Sequence, residues 1–287
     1  MAVAPIRPAS TVVLLRPTPH RFEVFLVRRH DNIAFMGGAS VFPGGRVEDA
    51  DRLDAAGELC DGLDEAITRT TGMSQRDAVG HYVAAIRELF EETGVLLARR
   101  GGRLITFDNG HEAAGFRDYR KALASGAISL REIADREHLR MAVDELALFA
   151  HWVTPDIEIK RFDTRFFAAT VPPRQEPVHD DDETTQSAWL DPVEAVERCR
   201  RDEIDLPPPT WTTLRMLARY SSVAEVMRWA RRTPIVRVQP GFIKRDDVTM
   251  LTLPGDPLHP AIEGCEIATE TRFLLDNGRW RATFIQG

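Results

Sequence analysis

Apolar and polar positions along the chain change period several times, and each change marks an element. The runs STVVLLRP (Ser10 to Pro17) and RFEVFLVRR (Arg21 to Arg29) are β-branched and aromatic, and a proline-containing turn separates them. They predict a β-hairpin. FMGGASVFPGG (Phe35 to Gly45) follows, with glycines suited to tight turns and close backbone approach. From Asp49 to Gly80 the chain is mixed and acidic, which suits an inserted segment of short helices. A helix is expected from about Asp77 through Leu89 and beyond, with Gly94 placed to end it in a left-handed cap. Helical patterns recur near His111 to Ala124 and Leu130 to Ala142 and resemble a cap over a cleft. Strand patterns return in LALFAHWVTP, TRFFAATVP and QSAWL. DPVEAVERCRRDE, PPPTWTTLRMLARY and SSVAEVMRWARR read as helices, with Trp211, Leu214 and Leu217 as core contacts and Pro192 in a first turn. From about Thr233 the pattern is β-like, and Asp276-Asn277-Gly278 is a hairpin signal. That tail suits an appended β unit or an arm that completes a partner's sheet, which leaves room for a homodimer.

Composition narrows the class. The chain has 287 residues, 43% hydrophobic and 28% charged, as expected of a globular protein with a real core. A formal charge of −7 argues against a broad nucleic-acid surface. Cys60, Cys199 and Cys265 stand far apart and form no zinc-ligand pattern. The start MAVAPIRPAS lacks a secretory apolar run, the end FIQG is not a peroxisomal address, and no segment reaches membrane-spanning length. The expectation is a cytoplasmic protein without a membrane partner.

The chemistry concentrates in HYVAAIRELFEETGVLL (His81 to Leu97). On a helix Val83, Ile86, Leu89 and Phe90 share one side, and Glu88, Glu91 and Glu92 lie on the opposite one. A charge run is most often a solvated face. Here three acids lack an interleaved lysine, Arg87 stands at their edge, and like charges at this spacing repel. A hard divalent cation would relieve that repulsion, since Mg²⁺ favours a few carboxylates with water and phosphate oxygens. Such a cluster suits attack by water on a pyrophosphate.

Arg87-Glu88-Leu89-Phe90-Glu91-Glu92-Thr93-Gly94-Val95 resembles the C-terminal half of the Nudix box, G-x5-E-x7-R-E-U-x-E-E-x-G-U. Gly45 takes the glycine place and Asp51 the first glutamate place. Aspartate thus replaces glutamate, and the spacer before Arg87 is roughly 28 residues longer than the pattern's seven. FMGGASVFPGGRVEDADR, HWVTP, KRFDTRFF and EIDLPPPTW extend the resemblance to the peroxisomal coenzyme A diphosphatase branch, from about Val12 to Leu217. Arg29, Gly38 and Phe42 fit the arginine-containing signature that leads into FPGG in coenzyme A-cleaving members, whereas its second arginine place holds Ala34.

The resemblance implies an α/β/α Nudix sandwich with a mixed sheet and a helical insertion, to which the β-like tail adds a C-terminal β-rich extension. Its Nudix hydrolase domain would span 8–232, with the insertion at about 52–78, a helical cap at about 98–142 and the extension at 233–287. It implies Mg²⁺ or Mn²⁺ held by Glu88, Glu91, Glu92 and the Gly45 carbonyl, with Arg87 orienting the glutamates. Glu91, Glu92 or Glu183 would serve as general base, Glu183 being preferred. Arg29, Phe42 and Gly44 would contact a small nucleotide substrate. The reaction would convert coenzyme A or acyl-CoA to 3',5'-ADP and (acyl-)phosphopantetheine. ADP-ribose or NADH hydrolysis is the same-class alternative, and a non-catalytic nucleotide-sensing module the alternative of another class.

Overall fold

The computed structural model describes residues 4–32, 36–70, 72–107, 110–180, 184–260 and 270–283. Ile6–Pro17 is the organising strand. It pairs in parallel with Arg161–Thr170 and antiparallel with both Phe22–Arg29 and Gly44–Arg46. Thr184–Leu190 and Ser40–Val41 pair with Phe22–Arg29, while Ala147–Val153 and then Arg237–Val238 extend the far side. Its central apolar run, VVLL, is uninterrupted because both faces of the sheet are covered. Val12 and Leu14 enter one core with Val83, Ile86 and Leu89. Val13 and Leu15 enter another with Trp211, Leu214 and Leu217. The helix Gln75–Thr93 lies over the first face. Pro192–Arg200, Pro208–Leu217 and Val223–Arg232 contribute to the core on the second face, which makes an α/β/α sandwich. Among the described residues no helix is long and apolar enough to cross a membrane.

The ends of the long helix follow local rules. Ser74 caps its start, its hydroxyl accepting the Asp77 amide at 3.1 Å. Gly94 closes it at φ +77°, its amide donating to the Phe90 carbonyl at 2.8 Å.

One expectation is corrected. The helix expected over Leu130 to Ala142 ends at Glu137, because His138 turns left-handed at φ +52°. Leu139–Ala142 is instead a strand, pairing with Ala98–Arg100 and Cys60–Asp61. The cap region therefore contains a small sheet as well as helices, built where Leu139 and Met141 alternate into the core. The carboxylate side of the long helix is partly covered. Glu92 is only 7% exposed, because Gly44–Arg46 and the short turn Asp49–Asp51 pack against that side.

The tail forms its own antiparallel sheet from Gly241–Arg245, Val248–Thr252, Arg272–Asp276 and Arg279–Thr283. Asn277 and Gly278 turn its last hairpin at φ +47° and +78°, as the Asn-Gly signal predicts. Leu251, Leu253 and Phe273 join the second core.

Candidate active site

Arg87 is the centre of the site and is 6% exposed. Its Nε and one terminal nitrogen donate to the two oxygens of Asp51 at 2.9 and 3.0 Å. That terminal nitrogen also reaches the Arg46 carbonyl at 2.7 Å. The other nitrogen donates to Glu88 at 3.0 Å and Glu91 at 3.2 Å. Burial alone would lower the guanidinium's pKa, but its hydrogen bonds to Asp51 and the charges of Glu88, Asp51 and Glu91 outweigh it and raise it. One fork-shaped cation thus holds three carboxylates at once.

Asp51 is the residue that sequence reading left without a role. It lies 1% exposed, accepts the Glu48 amide at 2.8 Å and grips Arg87 with both oxygens. The long insertion leaves from Asp51 and returns into the helix, so the two residues meet despite their separation in the chain.

The glycines act through closeness. A Cβ on Gly45 would lie 2.4 Å from a Glu88 oxygen, so any side chain there would push the carboxylate out of its place. A Cβ on Gly44 would meet the Ser10 carbonyl at 2.3 Å, and its amide donates to Glu92 at 3.1 Å. Gly44 thereby orients Glu92.

Burial is the largest influence on Glu88 and pushes its carboxyl up to about 7, against the pull of Arg87. Burial raises Glu91 as well, again opposed by Arg87. Among the described residues no three acid, histidine or cysteine side chains close on one point with metal-ligand geometry. The donor chemistry nevertheless fits a hard divalent ion, which takes few carboxylates and fills its remaining positions with water and phosphate oxygens. A buried carboxylate raised this far is short of positive charge, and such an ion would supply it.

The other expected residues are divided. Arg29 ends its strand with its amide on the Ala39 carbonyl at 3.0 Å. Its buried Nε has no hydrogen-bond partner among the described residues. Arg28 pairs with Asp31 at 2.7 Å on the surface. Phe42, expected beside the substrate, is 3% exposed and packs in the second core, across the sheet from the long helix. Glu183 and Ala34 lie outside the described residues. Thr184, next to Glu183, pairs with Arg29, and the Val178 amide donates to the Thr93 carbonyl at 2.9 Å. Those contacts bring the flanks of the acidic run beside Arg29 and the end of the glutamate helix.

The chain matches the NUDT19 Nudix domain model over residues 63–217. The acyl-coenzyme A diphosphatase NUDT19 of Homo sapiens is 30% identical over 296 residues, covering 88% of this chain and 76% of the relative. The acyl-coenzyme A diphosphatase NUDT19 of Gallus gallus is 27% identical, covering 88% and 80%. A solved Nudix hydrolase from Alicyclobacillus acidocaldarius superposes with a TM-score of 0.67 at 26% identity, over 79% of this chain and 97% of that one. With the box helix, its arginine and its glycine strand assembled in this sandwich, the chain belongs to the Nudix hydrolases, in the family of the NUDT19 Nudix domain.

Proposed function

We propose that this Nudix enzyme hydrolyses the pyrophosphate of coenzyme A or an acyl-CoA to 3',5'-ADP and (acyl-)phosphopantetheine. The observation that carries the reading is the Arg87 cluster, with Glu88 and Glu91 on one guanidinium nitrogen and Glu92 fixed by Gly44. The names of the relatives supply the substrate class.

Glu88, Glu91 and Glu92, with the Gly45 carbonyl, would hold Mg²⁺ or Mn²⁺. Bound there, the ion neutralises phosphate charge and lowers the pKa of an attacking water. Arg87, itself held by Asp51, favours the ionised form of Glu88 and Glu91 and aims their carboxylates. Glu91, Glu92 or Glu183 takes the proton from water, with Glu183 as the preferred base. The Nε of Arg29, which has no hydrogen-bond partner among the described residues, is suited to an anionic oxygen of the substrate.

The test is product identification by mass spectrometry with coenzyme A, acetyl-CoA, ADP-ribose and NADH, each with Mg²⁺ or Mn²⁺. Coenzyme A or its thioester should give the highest kcat/KM. Preference for ADP-ribose or NADH would overturn the substrate, and turnover of none would overturn the reaction. Arg29→Ala should raise KM for coenzyme A about tenfold, the loss of one charge-assisted hydrogen bond, with unfolding unchanged.

A further inference from the structure

Arg120 belongs to the helix Gly110–Ala124, which lies outside the box motif. Its Nε donates to the Glu91 carbonyl at 2.8 Å. Its guanidinium and Cδ stand 3.5 and 3.7 Å from where a Cβ on Gly94 would lie, so its stem lies over the helix end. Next to it Phe116 meets Phe90 edge-on, with ring centres 6.4 Å apart.

The last carbonyls of any helix lack partners within the helix. Here the Phe90 carbonyl accepts from Gly94 at 2.8 Å, and the Thr93 carbonyl from Val178 at 2.9 Å. The Glu91 carbonyl is held by Arg120, a cation at the helix end where the dipole favours one. Glu91 is therefore gripped twice. Arg87 takes its carboxylate at 3.2 Å, and Arg120 takes its main chain. Moving that turn would move Glu92 as well, whose carboxylate must stay within reach of the Gly44 amide.

We infer that Arg120 is a positioning residue for Glu91 and Glu92, coupling the helix Gly110–Ala124 to the reaction site. The inference rests on the hydrolase reading above. Its test uses the full chain with Arg120→Met, which keeps the stem and removes the donor, and Arg120→Lys, which restores a cation. Phe116→Leu loosens the same packing without touching the hydrogen bond. Mn²⁺ binding is read from the free-ion electron paramagnetic resonance signal, alongside kcat, KM and Tm.

Arg120→Met should weaken Mn²⁺ binding and lower kcat, each about tenfold, as loss of a support behind metal ligands does, while KM stays within about twofold. Arg120→Lys should recover part of both. Phe116→Leu should lower Tm with Mn²⁺ affinity unchanged. Mn²⁺ binding and kcat within about twofold of wild type in Arg120→Met, or changes that merely track Phe116→Leu, would overturn the inference. Those results with an active wild type sink this inference alone. A wild type that neither binds Mn²⁺ nor turns over coenzyme A sinks the hydrolase reading, and this one with it.

Discussion

The two halves of the helix Gln75–Thr93 bury ionisable groups with opposite outcomes. In the first half His81 is 4% exposed, its Nδ1 lying 3.1 Å from the Ala9 carbonyl and 3.2 Å from the Ser10 hydroxyl. The Ser10 hydroxyl donates to the His81 carbonyl at 2.8 Å. Burial pushes the imidazole down to about 4, and a neutral ring satisfies every neighbour. In the second half burial pushes Glu88 up to about 7, yet Arg87 needs its carboxylates ionised. The first conflict is settled by giving up a charge and serves the fold. The second cannot be settled that way without abandoning Arg87. A group of acids kept together under that tension is where an added cation has most to offer.

The largest effect is expected at Glu91. Glu91→Gln should lower kcat by about 10²–10⁴-fold, the range for loss of a group that takes up or steers a proton. Because it also removes one of several crowded negative charges, Tm should hold or rise. A large fall in Tm with activity intact would mean that the second half is structural like the first.

Asp51→Asn comes next and should act on stability as well as on rate. Taking the carboxylate from a pair in which both partners are this buried costs about 3–5 kcal/mol, read by urea unfolding. A cost near zero would show that Glu88 and Glu91 alone suffice to hold Arg87.

The smallest effect concerns pH and the first half. His81 has a folded value of about 4 against an ordinary value of 6.5. Between those pH values the unfolded chain binds a proton that the folded chain refuses. The contribution is therefore fully present above about 6.5 and is lost as pH falls toward 4, amounting to at most about 3 kcal/mol. The urea midpoint of wild type should fall over that window, and His81→Gln should flatten the fall. Equal slopes in both proteins would remove His81 from the account.

Much of the site was legible because it is local. The periodicity of Val83, Ile86, Leu89 and Phe90 against Glu88, Glu91 and Glu92 lies within one helix, and Gly94 marks its end. Asp51 was half legible, since its spacing identified the place while the change from glutamate and the long insertion obscured the role. Arg120 carries no usable signal, because nothing local says whether Arg117 or Arg120 reaches another element. Phe42 reads as one motif with the glycines after it, and only the packing places its ring in the second core. Leu130 to Ala142 reads as one helix because the left-handed turn at His138 has no strong residue signature.

Determined by the sequence alone were the box helix and its boundaries, the hairpins, and the chemistry that three crowded carboxylates beside an arginine demand. Each depends on dihedral preference and residue period over a few turns, which short-range sterics and hydrogen bonding decide. Tertiary structure alone decided that Asp51 meets Arg87, that Gly45 slides over Glu88, that Arg120 reaches Glu91, and that the carboxylate side is partly covered. Those contacts join residues far apart in the chain, and which of them form depends on how the packed sheet places each loop.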